Sequence, residues 1–241
     1  MTLRVRVRRI ATVALGATVA IAVWGAGASS LGGVTPRTLF ATNATLSPTI
    51  PTVATCDDFS LAASTGAALN NRPVQTPAAC GPSVWTVHAG TWTITGGQLS
   101  ANTAGATASI NAGTLSESAQ ATILNANAGG TVVGVAINHS GATRTFLAAV
   151  ISGNQLLIVS SLNGTVTTQL SAAITVGAST VLRITRNGSA VTASVDGVVK
   201  LSGTLTALGL STLTATRSGL YWAGGGTVRF TNFLVTSPSA P

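Results

Sequence analysis

Residues Val181-Leu182-Arg183-Ile184-Thr185, Asn187-Gly188, Val191-Thr192-Ala193-Ser194-Val195 and Asp196-Gly197 follow one another in a single stretch, and their reading decides the fold class. Leu182 and Ile184 point to one face and Arg183 to the other, the two-residue period of a strand with one side buried. Val191, Ala193 and Val195 repeat that period in the next strand. Asn187-Gly188 and Asp196-Gly197 supply the positive-φ residues that tight hairpins need, so the stretch predicts strands joined by hairpins rather than a helix.

The same pattern extends outward in both directions. Asn163-Gly164 predicts another hairpin. In Thr131–Ile137, Val133, Val135 and Ile137 share one face, while Gly134 and Ala136 keep the other face thin enough for a second sheet or a shallow groove. The last run, Val228 to Val235, puts Phe230 and Phe233 on opposite faces unless a bulge intervenes, and one is predicted near Thr231-Asn232. From Val84 onward the chain is a succession of short β-type runs with turn signals between them, and no Rossmann or P-loop pattern interrupts it.

Composition agrees. Only 7% of the 241 residues are charged and 46% are hydrophobic, against roughly a quarter charged in an average domain. The polar surface must come from Ser, Thr, Asn and Gly. Thr and Val suit a pleated surface, and the scarcity of Glu and Lys argues against long amphipathic helices.

The formal charge of +8 is concentrated at the start of the chain. Arg4, Arg6, Arg8 and Arg9 precede an apolar stretch from Ile10 to Trp24 and the small residues Gly25-Ala26-Gly27-Ala28-Ser29, the layout of a secretory signal. Arg8-Arg9 is followed by residues that fit twin-arginine export poorly, which favours the general secretory route. An uncleaved anchor is the competing reading, because Ile10–Ala28 just reaches across a bilayer. Without the four arginines, 8 basic residues face 4 acidic ones, a net charge of 8 − 4 = +4.

The remaining arginines, spread over different strands without an aromatic stripe, do not make a nucleic-acid platform. The expected organisation is a signal segment at 1–28, a Pro-, Thr- and Ser-rich lead-in at 29–55, one β domain at 56–236 and a disordered tail at 237–241. Cys56 and Cys80 would leave the reducing cytosol and flank an irregular segment, so a disulfide between them is expected. The predicted location is secreted or extracellular, with the membrane contacted only through the N-terminal segment.

Several motifs carry a resemblance. Asp57-Asp58-Phe59, Trp85-Thr86-Val87, Gly90-Thr91-Trp92-Thr93-Ile94 and Gly96-Gly97-Gln98-Leu99 are followed in order by Asn154-Gln155-Leu156-Leu157-Ile158, Leu182-Arg183-Ile184, Val195-Asp196-Gly197, Ser218-Gly219-Leu220 and Phe230–Val235. Together they resemble the concanavalin A-like, laminin G-like domains of secreted bacterial proteins over roughly residues 56–236. The resemblance implies an all-β, two-sheet antiparallel jelly-roll sandwich with one concave face, used in such proteins for glycans, for proteins or for glycoside hydrolysis.

The hydrolase branch carries closely spaced carboxylates on one strand, because glycosidic cleavage needs an acid and a carboxylate partner. Here the acidic residues are Asp57, Asp58, Glu117 and Asp196. Asp57 and Asp58 are adjacent and would face opposite ways on a strand, and there is no Gly-x-Ser-x-Gly elbow. No catalytic residue and no required cofactor are assigned. The resemblance also implies a structural calcium position where the first and last strands meet, with Asp57, Asp58 and Asn232 as candidate oxygen ligands. The preferred reading of those residues is turn capping and backbone satisfaction at a bulge.

For binding, Tyr221 and Trp222 precede Ala223-Gly224-Gly225-Gly226, where a flexible loop would expose a ring for stacking on a sugar, with Arg217 nearby. The alternative is that Trp222, like Trp85 and Trp92, is a core aromatic. The functional expectation is a non-catalytic module for glycan or cell-envelope polymer. A structural or assembly protein acting through its sheet edges is second, and a glycoside hydrolase third.

Overall fold

The computed structural model describes residues 53–60, 67–74, 80, 83–127, 129–210, 213–224 and 228–237. The expected signal segment, residues 29–52 of the lead-in and residues 238–241 of the tail lie outside them. In chain order the strands are β1 (Val53–Asp57), β2 (Ala67–Ala68), β3 (Thr86–Ala89), β4 (Trp92–Thr95), β5 (Gln98–Ala101), β6 (Ala106–Asn111), β7 (Glu117–Leu124) and β8 (Val132–Ser140). They continue with β9 (Thr145–Ser152), β10 (Gln155–Leu162), β11 (Thr165–Ala173), β12 (Ser179–Asn187), β13 (Ala190–Val195), β14 (Val198–Thr204), β15 (Arg217–Ala223) and β16 (Arg229–Thr236). β1 begins at Val53 and pairs Val53 with Thr236, three residues ahead of Cys56.

Two antiparallel sheets result. One runs β14-β13-β12-β7-β16-β5-β4-β2, with β1 also on β16, and the other runs β11-β10-β9-β8-β15-β6-β3. They face each other through β12 and β7 against β8, and β14 against β10 and β11. Val133, Val135 and Ile137 of β8, Leu182 and Ile184 of β12, and Val191 and Ala193 of β13 are buried in the shared core, as the two-residue period requires. Trp85, Trp92, Phe230 and Phe233 are also enclosed there. This is the jelly-roll sandwich.

The hairpins follow turn chemistry with one difference. Asn163 and Gly164 (φ 51° and 83°) close β10–β11, and Asp196 and Gly197 (φ 49° and 81°) close β13–β14, the paired positive φ of a type I′ turn. Between β12 and β13, Asn187 pairs with Ala190. The turn therefore centres on Gly188-Ser189, one residue later than Asn187-Gly188, and only Gly188 takes a positive φ. The predicted bulge at Thr231-Asn232 is present: the register of β16 on β7 shifts between Thr231 and Leu234, and Asn232 has φ 50°. The shift turns both Phe230 and Phe233 into the core.

The opening of the domain is held by a buried ion pair. Asp57 Oδ2 accepts hydrogen bonds from Arg72 Nη1 and Trp85 Nε1, both at 2.7 Å, and Oδ1 accepts from Phe59 N at 2.8 Å. Cys56, next to Asp57, is bonded to Cys80. Burial pushes the Asp57 carboxyl above its ordinary range, and the bonds from Phe59, Trp85 and Arg72 oppose the shift. Removing one partner of such a pair leaves an uncompensated buried charge. Asp57→Ala is expected to destabilise the fold by about 3–5 kcal/mol, read as a lowered midpoint in chemical denaturation. A change below about 1 kcal/mol contradicts this role.

Candidate functional site

Strand alternation fixes where the predicted binding residues go. On β15, Ser218, Leu220 and Trp222 face the sandwich core, whereas Arg217, Gly219 and Tyr221 face the outer side of the seven-stranded sheet. Trp222 is 1% exposed, packs on Phe230 and donates its indole N–H to Gly224 O. The expected sugar-stacking role of Trp222 is corrected accordingly: the glycines after it do not lift its ring out of the core.

Tyr221 is 8% exposed and belongs to a second apolar cluster with Phe146, Ala136, Ala148, Val150 and Val159. Arg217 donates to Ser109 Oγ (2.8 Å), Ser109 O (2.9 Å) and Thr86 Oγ1 (2.8 Å), so its guanidinium braces β15 to β6 and β3. Arg217 and Tyr221 share a face; the Arg217 guanidinium is committed to Ser109 and Thr86, and Tyr221, its ring largely buried, lines a small cavity of about 90 Å³ with Thr107, Arg144, Phe146 and Ser161.

That face holds a row of rings the sequence reading did not connect. His88 on β3 stacks on His139 of β8 (centroids 4.5 Å), His139 stacks on Phe146 of β9 (5.2 Å), and Phe146 meets Tyr221 (5.5 Å). His139 is fully buried, with no hydrogen-bond partner on either ring nitrogen. Burial, helped by the charges of His88 and Arg217, lowers its pKa to about 3. The ring is therefore a neutral, apolar spacer at ordinary pH. Gly141 lies flat against His88; a Cβ there would stand 2.3 Å from Nδ1, so only glycine lets the β8–β9 turn close on that ring.

His139 reaches this face because of a bulge. The register of β8 on β9 shifts between Ile137 and Ser140, and Asn138 takes φ 51°. The left-handed residue, tolerated by Asn better than by a β-branched side chain, sends Asn138 toward the opposite sheet and His139 outward. Asn138 N donates to Glu117 Oε1 (3.0 Å), and Asn138 Nδ2 donates to Leu115 O (3.2 Å) and Ala215 O (2.8 Å). Arg186 Nη1 donates to both Asn138 Oδ1 (2.7 Å) and Leu213 O (2.9 Å).

These bonds frame a cavity of about 430 Å³ lined by Asn138, Ser140, Thr143, Thr145, Leu162, Asn163, Leu213, Thr214 and Ala215. Its walls are the β8 bulge, the β8–β9 and β10–β11 turns, and the segment leading into β15. Thr143 Oγ1 is hydrogen-bonded to Ser140 Oγ (3.0 Å) and Thr145 Oγ1 (2.9 Å), donating its one proton in one contact and accepting in the other, and Asn163 N donates to Thr145 Oγ1 (3.2 Å). The cavity is a hydroxyl- and amide-lined pocket with an apolar side at Leu162, held from behind by Glu117 and Arg186.

The candidate calcium ligands do meet: Asp57, Asp58 and Asn232 line one cavity of about 220 Å³ with Gln120. Their donors do not fit the ion. Both Asp57 oxygens are committed, with Arg72 already supplying the positive charge, and Asp58 Oδ1 accepts from Ser60 N at 2.9 Å. One remaining carboxylate oxygen and the Asn232 and Gln120 amides fall short of the six to eight oxygens calcium takes, and the Gln120 carbonyl already accepts from Arg183. The observed roles are an Asx turn at Asp58 and a left-handed bulge residue at Asn232.

No protein-family model matches the sequence, and no curated protein matches it. Solved structures match in fold. The carbohydrate-binding module CBM66 from Bacillus subtilis superimposes with TM-score 0.52 at 12% identity, over 64% of this chain and 95% of that one. A Bacillus subtilis protein of unknown function with a galectin-like fold gives 0.51 at 12%, over 74% and 99%. A prokaryotic β-1,3-1,4-glucanase (lichenase) from a mouse hindgut metagenome gives 0.50 at 11%, over 76% and 98%. The fold is thus the concanavalin A-like, galectin-like jelly roll.

Two buried groups beside the bulge titrate in opposite senses. Glu117 is raised from 4.5 to about 7, chiefly by burial, against the bond from Asn138 N, the nearby Ser218 hydroxyl and the charge of Arg186. Its contribution to stability is full below pH 4.5 and is lost as pH rises through about 7. His139, lowered from 6.5 to about 3, contributes stability that is full above pH 6.5 and is lost as pH falls toward 3. Relative to the parent, Glu117→Gln is expected to gain stability between about pH 5 and pH 8, on the order of 3 kcal/mol. Denaturant midpoints of the two proteins across that range check it, and a constant difference would refute it.

Proposed function

We propose that the protein is an exported, non-catalytic recognition module that holds a glycan or another hydroxyl-rich envelope polymer in the cavity beside the β8 bulge. The observation that carries this reading is the lining. Ser140, Thr143, Thr145 and Thr214 hydroxyls and the Asn163 amide surround a cavity of about 430 Å³, and such groups both donate to and accept from sugar hydroxyls. The carbohydrate-binding module from Bacillus subtilis shares the fold, and the Cys56–Cys80 disulfide suits an extracellular location.

The carboxylates support a module without hydrolytic activity. Asp57 is spent on Arg72, Trp85 and Phe59 N, Asp58 on Ser60 N, Asp196 on Val181 N at 2.7 Å, and Glu117 on Asn138 N. Each braces local structure, in a different part of the fold. The glucanase with the same fold sets a direct control: release of reducing sugar from β-glucan by the purified protein would overturn the non-catalytic reading.

A second reading, assembly through a sheet edge, is favoured by β14. It is the outer strand of its sheet, and Val198 and Val199 are 55% and 58% exposed. Open edges are templates for pairing with another chain. Concentration-dependent sedimentation that Val199→Lys abolishes would support this reading.

The cavity is tested by filling it. Thr214→Trp, at an exposed lining position, is expected to weaken polysaccharide binding at least about tenfold, the consequence of losing on the order of 1.4 kcal/mol, without changing the denaturation midpoint. Affinity electrophoresis of the purified protein over a polysaccharide panel measures it. Unchanged binding in Thr214→Trp together with loss in Tyr221→Ala would move the site to the outer face of the seven-stranded sheet.

A further inference from the structure

The charges around the cavity are uneven. Among the described residues no acidic side chain lines it. Arg144, between Thr143 and Thr145 in the chain, lines a separate cavity with Phe146 and Tyr221, whereas Arg186 stands behind the wall, bonded to two lining residues, Asn138 and Leu213. Of the four carboxylates, Asp57, Asp58 and Asp196 belong to β1, the turn after it and the β13–β14 turn. Glu117 alone is close, across from Arg186 in the β7–β12 register.

We infer that the cavity selects acidic, hydroxyl-rich polymers, carrying carboxylate or phosphodiester groups, and that Glu117 sets how tightly they are held by cancelling or releasing the charge of Arg186. This deepens the recognition reading and rests on it. With Glu117 ionised, its carboxylate compensates Arg186 and the cavity is nearly neutral from behind. With Glu117 protonated, the Arg186 charge acts on whatever occupies the cavity, and the low-dielectric wall between them weakens it less than water would.

The surroundings of Glu117 leave few other groups to titrate. From β12 it faces Arg186. From β8 it faces Asn138, while His139 next to it is turned to the other side of the sheet. From β15 it faces Ser218, while Arg217 is tied to Ser109 and Thr86 on the outer face. The charged residue of β16, Arg229, pairs with Leu124 at the far end of β7. Glu117 Oε2 is buried and has no hydrogen-bond partner, so the ionised form is steadied chiefly by the Asn138 N–H on Oε1 and by the Arg186 charge. Its shift up to about 7 puts the change at ordinary environmental pH.

The test is binding of polygalacturonate, a glycerol-phosphate polymer and neutral dextran to the purified full chain, at about pH 5.5 and about pH 8 and one ionic strength. Both acidic polymers keep their charge over that range, and comparing them separates carboxylate from phosphodiester preference. The expected result is tighter binding of an acidic polymer at the lower pH by roughly three- to tenfold, no such change for dextran, and loss of the pH effect in Glu117→Gln. Calorimetry of the unaltered protein near pH 7, in two buffers of different ionisation enthalpy, should show proton uptake on binding. Equal binding of neutral and acidic polymers, a pH effect that survives in Glu117→Gln, or no proton uptake would overturn the inference and leave glycan recognition standing. No binding of any polymer would overturn both.

Discussion

The left-handed backbone at Asn138 is the constraint on which this end of the sandwich depends. One residue out of register in β8 brings its amide to Glu117 of the opposite sheet and its side chain to Leu115 O, Ala215 O and Arg186. All the polar groups of the Asn138 side chain are thereby satisfied while it is fully buried, which is what an interior amide requires. The same slip turns His139 outward into the ring stack. Without it, strand alternation would put Asn138 on the outer face and His139 toward the core, away from the rings of His88 and Phe146.

With charge so scarce, several of the ionisable groups among the described residues are given to bracing the fold. A chain with 7% charged residues has few long polar side chains to shield its edges, and some of those it has, Arg72, Arg186 and Arg217 among them, are turned to partners within the fold. Asp57 with Arg72 fixes the start of the domain, Glu117 with Arg186 fixes the bulge, and Arg217 crosses β6 and β3. Buried groups of this kind are poor sources of net stability, but breaking one partner is costly. Their effect is to fix which strands meet and in what register. The two-residue period already disfavours a one-residue slip, which would turn a strand's apolar set to the wrong face, and these polar ties add to that selection at the domain's opening and at the bulge.

Much of the fold was legible because it rests on local rules. The period in Leu182–Ile184 and Val191–Val195, the I′ turns at Asn163-Gly164 and Asp196-Gly197, and the bulge at Asn232 each follow from a few neighbouring residues. The site was less legible. Trp222 was read from the glycines that follow it, when counting in twos from Leu220 would have placed it in the core. Glu117 carries no local signal of its role, since its neighbours Asn138 on β8 and Arg186 on β12 meet it only once the strands have paired and the two sheets have packed. The Asn138-His139 pair did carry a signal: two polar residues at the end of a Val, Gly and Ala alternation, the first of a type that tolerates positive φ. Nothing local says which way such a bulge turns the two side chains.

Fold likeness by itself selects no ligand, because a binding module, a galectin-like protein and a glucanase all share this sandwich. The selection must come from groups that differ at the same place in the architecture. Here the sheet face offers Ala136, Ala148, Val150 and a closed row of rings, with Arg217 already satisfied by hydroxyls of this chain. A sugar at that face would have to break those bonds before making its own. At the cavity beside the bulge, Ser140, Thr143 and Thr145 are bonded to one another, but Thr143 and Thr214 are exposed and a hydroxyl keeps acceptor capacity beyond one such bond. The proposed site at the end of the sandwich rests on this difference: exposed hydroxyls at the cavity against a guanidinium tied to three acceptors and a closed row of rings on the sheet face.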